Sequence, residues 1–350
     1  MKRKWPKSVF WWLIGILLLA AFLFWPLPKY IEGPGQASDI NNFVKIKNHP
    51  DKRKGSFMLT SVGISQARPL TYLWAKMVPY YTIEDANDVT SGQNMVQYEQ
   101  VQKFYMQSSI NEAIFTAYKS AHQDVERKYN GIYVLDVQKN SKFKSKLAVG
   151  DVVTAIDGHH FKNSSGFVNY IKGKKAGTEV TISYERNGIN KTAREPLVKI
   201  SKQRAGIGII LTDNMTIQTK IPPVKVNPGD VGGPSGGTMF ALQIYGQLTN
   251  QDLRHGQKIA GTGTIDAEGN VGEIGGGIDK KIIAAKRSGG AKIFLAPYIK
   301  PTKSVLKFEP DHLTNYQLAK KTAKKYAPNM KVVPISTFEQ AVSYLRNQKD

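Results

Sequence analysis

The sequence contains no cysteine. That excludes disulfides, a thiol nucleophile and any cysteine-ligated metal. Histidine is sparse: His49, His122, His159, His160, His255 and His312 stand in unrelated contexts, so neither a Ser-His-Asp triad nor a metal site is expected. There is no Gly-x-x-x-x-Gly-Lys-Ser/Thr phosphate loop, no zinc-finger spacing and no aromatic-and-basic RNA signature. Acidic residues are outnumbered, 27 against 49 Lys and Arg, for a formal net charge of +22. The lysines are scattered rather than clustered. This balance suits a basic surface facing an anionic membrane or wall better than nucleic acid. No cofactor is implied. Hydrophobic residues make up 41%, which supports packed domains and argues against wholesale disorder.

Only one long apolar run is present. Ser8 to Pro28 carries no charge, and Lys2, Arg3, Lys4 and Lys7 precede it. About 20 helical residues cross a bilayer core, and flanking positive charge stays on the cytoplasmic side. The expectation is a single-pass anchor in the cell membrane over 1–28, with the N-terminus cytoplasmic and the rest extracellular. A cleaved signal peptide is disfavoured, because bulky Phe22, Leu23, Phe24 and Trp25 stand where small residues would be needed.

Past the anchor, 29–55 reads as a linker rich in Gly, Pro, Asn and Asp, and 56–62 as a strand. Asn94 to Glu126 has helical periodicity, with Met95, Val101, Tyr105, Ile110, Ala113, Ile114 and Tyr118 on its apolar face. The segment 29–125 is thus a linker followed by a strand and a helix that could complete a later domain. From Gly131 the texture turns to short strands. Ile132–Val137 is one, Val149-Gly150-Asp151 leads through another to the turn Ile156-Asp157-Gly158, and 167–172 is a helix. Thr178–Arg186 alternates strictly and ends on Asn187-Gly188, a hairpin signal. Beyond 199 come an apolar strand (206–212), a helix after a glycine-rich turn (234–247), a second helix (278–287) and strands at 292–296 and 331–335. A final helix (336–346) is expected to start with Ser336 and Glu339 as a capping box. That mixture indicates an α/β domain over 199–350.

Two motifs carry chemistry. In Gly232-Gly233-Pro234-Ser235-Gly236-Gly237, a flexible turn delivers Ser235 to a helix N-terminus. Free N–H groups there can stabilise an oxyanion. The second motif is Gly275-Gly276-Gly277-Ile278-Asp279-Lys280-Lys281-Ile282-Ile283-Ala284-Ala285. A lysine serves as the serine's base only when neutral, which requires burial. At 100° per residue Ile278, Ile282 and Ala285 share a face, Lys281 lies at its edge, and Lys280 falls beside Arg287 on the solvent side. Helical phase therefore selects Lys281.

Residues 126–198 resemble a PDZ domain. The resemblance implies that an extended peptide adds to a sheet edge, near Gly131, Ile132 and Tyr133; the alternative is that the module only orients its neighbour. Residues 206–346 resemble the proteolytic domain of the Lon family through Gly233-Pro234-Ser235-Gly236-Gly237, Gly261-Thr262-Gly263, Gly269–Gly276 and Gly277–Ala285. The resemblance implies a Ser-Lys dyad of Ser235 and Lys281. Gly233, Pro234 and Gly236 would shape the oxyanion site, with Thr262 close by. Thr264, where glutamate is common, and Gly232, where aspartate can stand, depart from the family pattern. Anchor, PDZ module and Lon-like domain in this order are similar to small ATP-independent PDZ–Lon proteases of Gram-positive bacteria. They imply endopeptidase action outside the membrane on peptides or unfolded proteins, including signal-peptide processing and trimming of secreted products. Lon domains often form rings, which leaves a homo-oligomer open. The rivals are a non-catalytic PDZ-containing membrane adaptor or scaffold, and a polyanion-binding protein.

Overall fold

The computed structural model describes residues 7–201, 204–219, 222–307 and 309–348. A six-stranded mixed sheet forms the larger body, in the order Lys331–Ile335, Ile293–Pro297, Lys258–Gly261, Ser56–Gln66, Lys29–Asp39, Thr82–Asp85. The first four strands run parallel, and the last two join antiparallel. Ile293–Pro297 is buried at every position, as an apolar run covered on both faces must be. Its side chains alternate between two cores. Ile293 and Leu295 join Ile259, Phe57 and Leu59 beneath the helix Gly237–Thr249. Phe294 and Ala296 join Ala260 and Met58 beneath the helix Ile278–Ala284. The two helices expected to carry the serine and the lysine therefore pack on opposite faces of one sheet.

The segment expected as a linker supplies the 11-residue strand Lys29–Asp39. Its glycines mark close approaches rather than flexibility: a Cβ on Gly33 would meet the Tyr81 ring at 2.0 Å, and one on Gly35 the Ser61 hydroxyl at 2.5 Å. Strands from before and after the PDZ-like region share this sheet. A nearly fully buried ion pair also joins the two sides, with Arg254 Nη1 2.5 Å and Nη2 2.7 Å from the Asp51 carboxylate. Gln243 adds a third hydrogen bond to it at 2.8 Å.

A second, five-stranded antiparallel sheet has the order Ile209–Thr219, Val125–Val137, Val152–Ile156, Glu179–Arg186, Ile189–Pro196. Asn187 and Gly188 both take positive φ, 52° and 77°, in the tight hairpin between the last two strands, the geometry that Asn-Gly favours. The strand read at 206–212 as part of the α/β domain instead runs Ile209–Thr219 and pairs along its length with Val125–Val137. The long helix Met95–Ser120 lies between the two bodies and starts with a capping box of Asn94 and Gln97. Val101, Ile110, Ala113, Ile114 and Tyr118 are buried on it; Met95 and Tyr105 are only partly so. The C-terminal helix Phe338–Arg346 is capped by Thr337, not Ser336, because it is the Thr337 hydroxyl that accepts the Gln340 N–H.

At the N-terminus an apolar helix spans Lys7–Phe24. Its 18 residues rise about 27 Å, short of the roughly 30 Å hydrocarbon core. Among the described residues, no helix is long and apolar enough to cross a membrane. Lys2, Arg3 and Lys4, expected to orient an anchor, lie outside the described residues.

Breaking the buried Asp51–Arg254 pair strands a charge in the fold. Asp51→Ala is expected to cost about 3 kcal/mol of unfolding free energy, measured by denaturant titration.

Candidate active site

The serine-bearing loop is held in place by the long helix. Gly233 adopts φ +84°, a conformation that glycine tolerates without strain, and its N–H donates to the Gln102 carbonyl at 2.9 Å. A Cβ on Gly232 would approach the Gln102 Cβ to 2.8 Å, so this turn seats directly on the helix. The Ser109 hydroxyl donates to the Pro234 carbonyl at 2.7 Å. Ser235 then stands half-exposed before the helix Gly237–Thr249, at the end a substrate can reach.

The lysine arrives from the other face of the sheet. Lys281 is 4% exposed, and its Nζ lies 2.7 Å from Ser235 Oγ, 3.1 Å from Thr262 Oγ1 and 3.1 Å from the Thr60 carbonyl oxygen. The two helices meet here because the short strand Lys258–Gly261 stops at Gly261, while its neighbour continues past Thr60 to Gln66. The amine fills the gap beyond that strand end. Burial pushes the Lys281 amine down to about 7. Among the described residues no anion draws the value up again, consistent with Thr264 standing where glutamate is common.

The hydrogen-bond directions constrain where the amine's lone pair can point. Thr262 donates its hydroxyl proton to the Ser235 carbonyl at 3.0 Å, so toward Lys281 it acts as acceptor. The Thr60 carbonyl can only accept. A neutral amine thus spends its two N–H bonds on Thr262 and Thr60. Its lone pair is left facing Ser235 Oγ, the orientation a general base needs.

Three expectations change at this site. Gly233 cannot serve an oxyanion, because its N–H is committed to Gln102; Pro234 has no N–H, and its carbonyl is held by Ser109. The donors left at the turn are the N–H groups of Ser235 and Gly236. Lys280 is not on the solvent side: it is 5% exposed, 4.0 Å from Glu32 Oε2 and 3.6 Å from Asp279 Oδ2. The cause is the strand Lys29–Asp39, which covers that side of the helix and carries Glu32. Thr60, Gln102 and Ser109 went unnoticed in the sequence. The first two act through backbone carbonyls, which no side-chain motif reports. Ser109 had a signal, a small polar residue in phase with the apolar face of its helix.

Gly131, Ile132 and Tyr133 do not line an open edge. Ile132 pairs with Val153 on one side and Asp213 on the other. A Cβ on Gly131 would stand 2.5 Å from the Val153 carbonyl, and Tyr133 stacks on Phe104 at 3.7 Å. One edge of this sheet lies at Ile189–Pro196, and the other a strand further out, at Ile209–Thr219. Beside it the helix Ser164–Lys172 is fastened by the Ser164 N–H to Asp213 Oδ1 at 2.7 Å. Asn111 of the long helix donates to the Met215 carbonyl at 2.8 Å, which leaves Ile209–Asn214 as the accessible half.

Two measurements check this geometry. Ser109→Ala removes the tie on Pro234 and is expected to lower kcat about tenfold with little change in KM. The kcat/KM profile is expected to rise through pH about 7 as Lys281 loses its proton. Stability follows the same group. The unfolded lysine titrates near 10.5, so between 7 and 10.5 the unfolded chain binds more protons and stability rises with pH. Lys281→Met is expected to unfold a few kcal/mol later than the parent below pH 7, an advantage that shrinks toward pH 10 in pH-resolved melting.

Comparison with known proteins finds two families, and the strand Ile209–Thr219 falls within the second match although it pairs with the five-stranded sheet. Residues 121–197 match the PDZ domain family, and residues 190–315 match the Lon protease (S16) C-terminal proteolytic domain. A Lon protease from Porphyromonas gingivalis is 35% identical over 98 residues, 28% of this chain and 11% of that protein's length. Among solved structures, the PDZ domain of an SdrC-like protein from Listeria monocytogenes is 40% identical, covering 24% of this chain and 90% of that one, with a TM-score of 0.24. The corresponding domain from Listeria innocua is 40% identical over 23% of this chain and 92% of that one, with a TM-score of 0.23. The chain therefore combines a PDZ domain with a Lon-type proteolytic domain.

Proposed function

We propose that the protein is an ATP-independent serine endopeptidase that works through Ser235 and Lys281. The observation that carries this reading is the 2.7 Å approach of a buried lysine amine to a half-exposed serine hydroxyl. Lys281 takes the Ser235 proton as Oγ attacks the peptide carbonyl. The Ser235 and Gly236 N–H groups receive the developing oxyanion. The protonated lysine then gives its proton to the leaving amine, which departs and leaves an ester on Oγ. Lys281, neutral again, activates the water that releases the acyl group.

Substrates are extended peptides or unfolded proteins. The strand Ser56–Gln66 pairs with Lys29–Asp39 on one side only once Lys258–Gly261 has ended, and this open stretch begins at the residue that contacts Lys281. A peptide adding to that edge brings its backbone to Ser235. The PDZ domain takes a further stretch of peptide along Ile209–Asn214. The N-terminal helix, whose apolar side chains are largely exposed, attaches the protein to the cell membrane, with the protease body outside.

Ser235→Ala and Lys281→Ala are each expected to reduce cleavage of a peptide library by at least 10³-fold, read by mass spectrometry. A serine-directed acylating probe labels the parent and not Ser235→Ala. Full activity in Lys281→Ala, or no labelling of the parent, would sink the assignment and favour an adaptor.

A further inference from the structure

One apolar surface is used by neither the dyad nor the PDZ edge. The helix Pro69–Met77 follows directly on the strand that carries Thr60. Its Ala75 is buried against Ile31 and Ala67. The opposite face presents Leu70, Leu73, Trp74 and Met77, at spacings of three and four residues, with Leu73 60% and Met77 77% exposed. Four large apolar side chains on one helical face are costly to leave in water.

What stands next to this face identifies its occupant. The N-terminal apolar helix ends against it: the Leu27 N–H donates to the Ala67 carbonyl at 2.8 Å, the Ala67 N–H to the Lys29 carbonyl at 2.8 Å, and the Arg68 guanidinium lies over the Phe24 ring. The two helices are in contact, and both expose large apolar side chains: Trp11, Trp12, Leu17, Leu18, Phe22 and Trp25 at or near one, Leu70 and Leu73 on the other. Trp74 packs edge-on against Tyr81, and Lys76 lies over Tyr72. Aromatic residues beside Lys and Arg are the composition of a membrane interface, where rings and basic heads sit at headgroup level. A net charge of +22 favours an anionic lipid surface and opposes the close approach of a second, equally basic copy.

We propose that the helix Pro69–Met77 docks through Leu70, Leu73, Trp74 and Met77 into the interfacial layer of an anionic bilayer, so that the protease body lies on the membrane rather than hanging from it. This rests on the membrane attachment proposed above. Its consequence is positional. From Thr60, whose carbonyl holds Lys281, to Gln66 at the edge of the docking helix is six residues of strand, about 20 Å at roughly 3.3 Å each. The strand acts as a spacer, and the peptide bonds it places at Ser235 belong to segments emerging within about that distance of the bilayer.

Because the chain has no cysteine, Leu73→Cys gives a unique attachment point for a fluorophore. Full-length protein is bound to vesicles of mixed anionic and zwitterionic phospholipid carrying nitroxide-labelled acyl chains, with Ile189→Cys on the far hairpin as control. The expected result is several-fold stronger quenching at 73 than at 189. Protein that floats with the vesicles but quenches equally at both positions overturns the docking. Shielding of position 73 from an aqueous quencher without nitroxide quenching puts a second copy on this face and also overturns it. Protein that does not float overturns the membrane attachment itself, and the docking with it. Leu73→Asp combined with Trp74→Asp is expected to slow cleavage of a vesicle-tethered peptide several-fold while a free peptide is cleaved as before. Equal slowing of both overturns the positional role.

Discussion

A lysine amine held in a dry gap, with both of its neutral N–H bonds already committed, is the constraint on which the rest of this structure depends. Burial brings the Lys281 amine down to about 7, so near neutrality it can stand unprotonated and still take up a proton. Burial alone would leave its direction undefined. Thr60 and Thr262 define it by accepting its two N–H groups, and Thr262 can do so only because its own proton is spent on the Ser235 carbonyl. The same threonine therefore orients the Lys281 amine and fixes the backbone of Ser235.

That arrangement requires the sheet to be interrupted. The serine and lysine helices lie on opposite faces, and two helices separated by a complete sheet could not bring their side chains together. The four-residue length of Lys258–Gly261 opens a passage at one end while its neighbours on both sides remain in register. The early strands matter for the same reason. Ser56–Gln66 supplies the far wall of the passage, and Lys29–Asp39 supplies Glu32, which keeps Lys280 paired and away from the base. The protease body thus depends on residues well before the PDZ domain as much as on those after it.

The parts legible in sequence were those carried by side-chain pattern. Helical phase separated Lys281 from Lys280, Asn187-Gly188 marked its hairpin, and Gly233-Pro234-Ser235-Gly236-Gly237 announced a turn into a helix. Illegible were the contacts made by carbonyls and the partners supplied from distant strands. Phase correctly assigned Lys281 to the core, but it also assigned Lys280 to solvent, because a helical wheel sees one buried face and this helix is covered on two. The PDZ edge was read as open for a related reason. Alternation identifies a strand but not what covers its edge: within 121–197, the residues that match the PDZ family, Val125–Val137 is the outer strand, and Ile209–Thr219 from beyond them pairs along it.

The long helix Met95–Ser120 brings these observations together. Within ten residues it accepts the Gly233 N–H at Gln102, holds the Pro234 carbonyl through Ser109 and holds the Met215 carbonyl of the PDZ edge strand through Asn111. Rigid secondary structure transmits displacement with little loss over such a span. The glycine-rich turn, Ser235 and the strand Ile209–Thr219 are therefore referenced to one element rather than to each other through loops. A glycine-rich turn is otherwise a poor platform for catalysis, since its backbone has more conformations to lose than any other. Here two polar contacts from a helix core, at Gly233 and at Pro234, remove that freedom. The glycines then serve only for close packing and positive φ, and the serine keeps a fixed position against a lysine that reaches it from the other side of the sheet.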